Sequence, residues 1–167
     1  LIGAADEHIP ILNGIADKLN YRDLILTSGA SFFVMTNKKC KKAIAEVVAT
    51  SVTGQISDIT MAIENFVEEN KINSKDIDLI LFSGSAAAEK QLKEVFNDKL
   101  ICDYQKYCGT YFSNSGFAFH LSVDILERRK VKFDFMENEQ NNIKSILICN
   151  NLSSANLGLT LVKSLEA

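Results

Sequence analysis

The segment that most restricts the fold is Ile77-Asp78-Leu79-Ile80-Leu81-Phe82, which runs into Ser83-Gly84-Ser85 and then into helix-forming residues over 86–97. A short, nearly continuous apolar run reads as a strand buried on both faces, which a half-wetted antiparallel sheet does not require. The glycine break turns the chain out of that strand and into a helix. Strand, tight turn and helix make half of a β-α-β unit, so the chain is expected to build a sheet with parallel strands and helices packed against it.

The remaining periodicities fill in the neighbours. Residues 1–5 read as the end of a strand, and Ile9, Leu12, Ile15, Ala16 and Leu19 recur at helical spacing. The runs 31–36 and 43–50 read as two strands joined through the polar turn 37–42 into a hairpin. Ser57 is placed to cap a helix whose Ile59, Ile63, Phe66 and Val67 share one face, with its end near Asn70. Residues 100–102 read as a short strand, 104–115 as an aromatic loop, and 116–129 as a third helix with Arg128, Arg129 and Lys130 at its negative dipole end. Strands over 131–135, 145–149 and 157–163, with a polar loop at 137–142, complete an α/β layer structure with mixed strands.

Composition narrows what such a fold does. At 167 residues the chain is one domain's worth, 47% apolar and 23% charged, which sets aside disordered and collagen-like classes. Eighteen Lys and Arg against 21 Asp and Glu leave a net charge of −3, without the basic excess a nucleic-acid binder uses. No apolar run approaches the ~20 residues of a membrane span. Cys40, Cys102, Cys108 and Cys149 form no C-x-x-C pair, and His8 and His120 lie far from them, so no metal site is expected. Four such cysteines fit a reducing cytoplasm. The chain opens on Leu1 rather than Met and reads as a piece of something longer.

Six short motifs, in order, carry a resemblance that covers nearly the whole chain. They are Gly3 through Glu7; Ser28-Gly29-Ala30 with Phe32-Phe33-Val34-Met35; Asp76-Ile77-Asp78-Leu79 running into Ser83-Gly84-Ser85; Gly109-Thr110; Tyr111 on to Gly116; and Cys149-Asn150-Asn151-Leu152-Ser153-Ser154-Ala155-Asn156. Together they resemble the C-terminal half of a β-ketoacyl synthase of the thiolase-like fold, preceded by the last strand and helix of the other half. The resemblance implies a mixed five-stranded sheet with helices on its faces, one half of an αβαβα sandwich. It places the end of the N-terminal half in 1–22 and the C-terminal half in 23–167. With neither a G-x-G-x-x-G nor a G-K-S/T motif after any strand, no cofactor is expected.

The departures bear on chemistry. In that family two histidines, in H-G-T and G-H motifs, stabilise developing oxyanion charge, and a cysteine of the first half is the nucleophile. Here Ser83 stands at the first histidine and Thr110 at the second, while Gln105 stands at the family's loop lysine, with Lys106 beside it. A hydroxyl donates a hydrogen bond but lacks a near-neutral pKa. The glycine-rich closing loop has become Ser153-Ser154-Ala155-Asn156, and the nucleophile's segment is absent. No catalytic residue is therefore expected, and the active-site-equivalent positions are Ser83, Gly84, Ser85, Gly109, Thr110, Asn150, Ser153 and Ser154.

His8, Gln105, Lys106, Cys108 and Phe112 are the further candidates to line a cleft, while His120 and most of the aromatics over 104–119 read as packing residues. Lys38, Lys39, Lys41 and Lys42 read as a solvated turn, with docking of an acidic carrier protein as the lesser reading. The expectation is a degenerate β-ketoacyl-synthase-like protein of fatty acid or polyketide biosynthesis. It resembles the chain-length-factor type of partner, working in a homo- or heterodimer beside an active ketosynthase and an acyl carrier protein. The rival expectation is an active condensing enzyme whose cysteine lies upstream.

Overall fold

The computed structural model describes residues 1–18, 26–38, 40–136, 138–151 and 155–165. Along these come β1 (Ile2–Asp6), α1 (Pro10–Lys18), β2 (Gly29–Phe33), β3 (Ala45–Gly54), α2 (Ile59–Glu69), β4 (Leu79–Ser83), α3 (Ala86–Val95) and β5 (Leu100–Asp103). They are followed by α4 (Gln105–Cys108), α5 (Asn114–Arg128), β6 (Lys130–Val131), β7 (Gln140–Asn141), β8 (Ser145–Asn150) and β9 (Asn156–Ser164). One turn of 3-10 helix, Ser74–Asp76, leads into β4.

Every residue of β4 is buried, as its unbroken apolar run demands. Alternation along the strand sends Ile80 and Phe82 into a core with Ile59, Ile63 and Phe66 of α2 and Ala88 and Leu92 of α3. Leu79 and Leu81 point the other way, against Ala118, Ile125 and Leu126 of α5. β8 divides likewise, Leu147 and Cys149 to the first side and Ile146 and Ile148 to the second. The five strands lie in the order β3-β9-β8-β4-β5, with β4 parallel to β5 and β8, and β9 antiparallel to both its neighbours. β9 thus opposes the other four, and the expected mixed five-stranded sheet with helices on both faces is present.

The helix ends are set by local chemistry. Asp58, not Ser57, caps α2: its backbone is extended and its carboxylate accepts the Thr60 amide at 2.8 Å. Asn70 closes that helix, as the sequence suggests. Ser85 caps α3 by accepting the Ala88 amide at 3.2 Å, and α3 ends at Val95 because Phe96 turns into the core. Two further expectations change. Within 104–115 the chain makes the short helix α4, and α5 begins at Asn114. The strand expected over 131–135 shrinks to β6, since Met136 N donates back to Phe133 O and Phe133 stacks on Phe135, turning the chain away.

The largest correction concerns the hairpin. β2 does not pair with β3; it pairs with β1 in a separate antiparallel sheet, while β3 pairs with β9 across the whole chain. The β1–β2 pair lies on α5. Phe33 meets Phe119 edge-on with centroids 4.8 Å apart, and a Cβ on Gly116 would stand 2.9 Å from the Ser31 Cβ. α5 is therefore packed between the large sheet on one side and β1–β2 on another. The 22/23 division falls in 19–25, outside the described residues, with β1 and β2 on either side of it in one sheet.

Candidate functional site

Ser83 ends β4 beside Asn150 at the end of β8, so both residues sit at the carboxyl ends of parallel strands, where open α/β sheets place their ligands. Gly84 follows because nothing larger fits: a Cβ there would come within 2.6 Å of the Phe82 ring and 3.2 Å of the Asn151 Cβ. β5 then delivers Tyr104, whose amide donates to Phe82 O at 3.0 Å, and α4 carries Gln105 toward Ser83. Gly109 ends α4 at φ 71°, ψ −158°, a backbone only glycine adopts without strain, and this turn brings Thr110 back to the same spot.

Three expected positions thereby meet. The Ser83 hydroxyl donates to Gln105 Oε1 at 3.1 Å, and Gln105 Nε2 donates to the Thr110 hydroxyl. Ser83 and Thr110 are both buried. Around this chain, Asn151 N donates to Ser83 O at 2.7 Å, and Asn150 Nδ2 donates to Asn114 Oδ1 at 3.1 Å. Beside it the buried Asn114 Nδ2 has no hydrogen-bond partner among the described residues. Burial drives the Tyr104 phenol well above its ordinary range, with the neighbouring Ser83 hydroxyl opposing the shift. Asn114 was not singled out in the sequence, whereas Tyr104 was counted among the aromatics over 104–119.

The other candidates are placed apart from this chain. Ser85 is occupied as the cap of α3. The His8 amide donates to Ser28 Oγ at 2.8 Å, and the adjoining Thr27 amide donates to Thr110 O at 2.9 Å, but the exposed His8 ring turns to Asn13 Oδ1 at 2.9 Å. Lys106 points to solvent, 3.9 Å from Asp103. Phe112 is 85% exposed, whereas Tyr104 and Tyr111 pack inside. Ser153, Ser154 and Lys39 lie outside the described residues. His120 is exposed on α5.

What the cluster can do follows from its donors. Hydroxyl and carboxamide groups exchange no proton near neutrality. The thiols nearby are not primed either. Burial pushes Cys108 up to about 11, with Asp103 adding to it, and pushes Cys149 up to about 12. Cys102 also reaches about 12, from burial first and then from Asp103. Asp103 is itself raised by burial, which outweighs the Gln105 amide it accepts at 3.0 Å. Among the described residues no three His, Cys, Asp or Glu side chains are placed to hold a metal, and no helix is long and apolar enough to cross a membrane.

Known structures share this architecture. A β-ketoacyl synthase from Burkholderia phymatum superposes with a TM-score of 0.74 at 12% identity, over 98% of this chain and 54% of its own. The ishigamide ketosynthase/chain length factor gives 0.61 at 12% identity over 73% of this chain and 38% of its own. A type II polyketide synthase acyl-carrier protein in complex with its ketosynthase bound to the hexaketide gives 0.59 at 13%, over 73% and 39%. No protein-family model and no curated protein sequence matches. The fold is thus thiolase-like α/β, and the chain spans between 38% and 54% of the length of these three structures.

Proposed function

We propose that this chain is a β-ketoacyl-synthase-like protein of fatty acid or polyketide biosynthesis that performs no condensation itself and serves as a chain-length-factor-type partner of an active ketosynthase. The observation that carries this reading is the Ser83–Gln105–Thr110 chain. The three positions matched to the family's two histidines and loop lysine sit together and bond one another, with the Ser83 hydroxyl proton turned to Gln105 rather than to a substrate. Losing one preorganised oxyanion donor typically costs ~10²–10³ in rate, and here both imidazoles are replaced. A partner role is supported by exposed apolar side chains on β1–β2 and α1, with Phe32 63% and Ile11 67% exposed and the adjoining Val34 at 89%. Such patches mark interaction surfaces. The fold neighbours include a ketosynthase/chain length factor and a ketosynthase bound to its acyl-carrier protein, which makes those two the proposed partners. We place the work of the pair in the cytoplasm.

The test is malonyl decarboxylation and acyl transfer with acyl carrier protein, first with this protein alone and then with an active ketosynthase added. The reading expects no turnover alone and a shift in product length only in the mixture. Turnover by the protein alone would favour the condensing-enzyme reading, and a mixture identical to the ketosynthase alone would remove the partner role.

A further inference from the structure

Along α5 a groove of about 320 Å3 opens on the flank away from β2. Its apolar floor is Phe117, Leu121 and Ile125 of α5 with Val131 and Phe133 of the following segment. At 3.6 residues per turn, Phe119, which contacts Phe33 of β2, points to the opposite side of the helix, so this groove is not part of the apolar surface around β1–β2. Tyr107 closes one end, its ring 6.0 Å from that of Phe133.

The rim is charged, and its balance is informative. Arg128 is bound to Asp124 at 2.9 Å and Lys130 to Glu139 at 3.3 Å, so those four charges cancel in pairs. Lys132 has no carboxylate partner among the described residues. Among the described residues one uncompensated cation thus stands over an apolar trough. From residue 117 to 128 the trough follows three turns of helix, ~16 Å, which suits an extended chain better than a compact ring. Its volume holds about ten non-hydrogen atoms at roughly 30 Å3 each. We propose that this groove binds a medium-chain aliphatic monocarboxylate, its chain along Phe117, Leu121 and Ile125 and its headgroup on Lys132. The apolar body supplies the affinity, and the single anion matches the one cation left unpaired among the described rim residues. The site is separate from Ser83 and stands independently of the partner role.

Sodium decanoate, kept below its micelle concentration, is the probe, with calorimetric titration for affinity and amide chemical shifts for location. Decan-1-ol serves as the uncharged control. The proposal expects shifts confined to 117–133, at least tenfold weaker binding of decan-1-ol, and at least tenfold weaker decanoate binding by Lys132→Glu, a surface substitution whose melting curve verifies its fold. Leu121→Trp, which fills the trough and introduces the chain's one tryptophan, should abolish binding. Absence of decanoate binding at millimolar concentration overturns the proposal. So does equal binding of the alcohol, an unaffected Lys132→Glu, or shifts that fall on β1–β2.

Discussion

Gln105 bridges Ser83 and Thr110 with a single carboxamide, accepting from one hydroxyl through Oε1 and donating to the other through Nε2. A carboxamide is suited to this because it offers both an acceptor and a donor on one flat group, which the lysine of the resembled motif does not. The bridge ties the end of β4 to the turn before α5.

Removing that bridge has a cost. Gln105→Ala leaves two largely buried hydroxyls without their partner, and each orphaned group costs ~1–3 kcal/mol. Urea unfolding of the variant should show a loss of about 2 kcal/mol with an unchanged slope. A loss under about 0.5 kcal/mol would mean that water replaces the carboxamide without penalty.

Asp6 performs a second long-range tie. Its carboxylate accepts the Ser113 amide at 2.7 Å and the Ser113 hydroxyl, while Ser113 itself makes no side-chain cap. β1 therefore caps α5 from 107 residues away. Asp6→Ala should cost about 1–2 kcal/mol, the usual value of a helix cap, with Asp6→Asn retaining part of it. Hydrogen exchange at Ser113 and Ser115 should quicken in Asp6→Ala; protection equal to the parent would deny Asp6 the capping role.

The four thiols should separate by reactivity. Cys40 is exposed, while Cys102 and Cys149 are buried and raised to about 12, and Cys108 is half-buried and raised to about 11. Since the thiolate is the reactive form, a disulfide reagent at pH 8 should label one thiol per chain promptly and the other three only in denaturant. Prompt labelling of Cys108 would contradict the inert environment described for it.

Asp103 gives stability a pH dependence of known sign. Its pKa is raised in the folded chain by burial, so the folded state holds this proton more tightly than the unfolded one. The contribution is fully present below the ordinary aspartate value near 4 and is lost as pH rises through the raised value. Asp103→Asn keeps an acceptor for the Gln105 amide and should flatten that part of the pH–stability curve. An unaltered curve would show that the carboxyl is as well solvated folded as unfolded.

The elements that could be read from the sequence are those whose signal is local. The buried run over 77–82 announces β4, and the repeats at 59, 63 and 66 announce α2, because one short window holds the whole pattern. The pairing of β2 and β3 misleads for the opposite reason. Two adjacent strand-like runs with lysines between them have the form of a hairpin, but Phe33 finds its partner at Ile2 and Val47 finds its own at Val162. The five-residue spacing of Gln105 and Thr110 pointed to the candidate site through the resembled motif. That Ser83 would join them came from the resemblance rather than from spacing, and no local pattern foretold that Asn114 Nδ2 would lack a partner among the described residues. Such relations depend on how three loops converge after the sheet has formed.

The position of β9 between β3 and β8 bears on how the molecule is made. On the ribosome, β3 emerges roughly a hundred residues before the strand that will pair with it, and it must stay unpaired all that time. β4, β5 and β8 can associate in the interval with α3 and α5 against them, but the sheet is closed only when β9 slides into the gap and covers Leu147 and Ile146 on one edge and Val47 on the other. Completion of the sheet is consequently late, with a valine-rich strand that a chaperone has reason to hold until synthesis has passed Ser164.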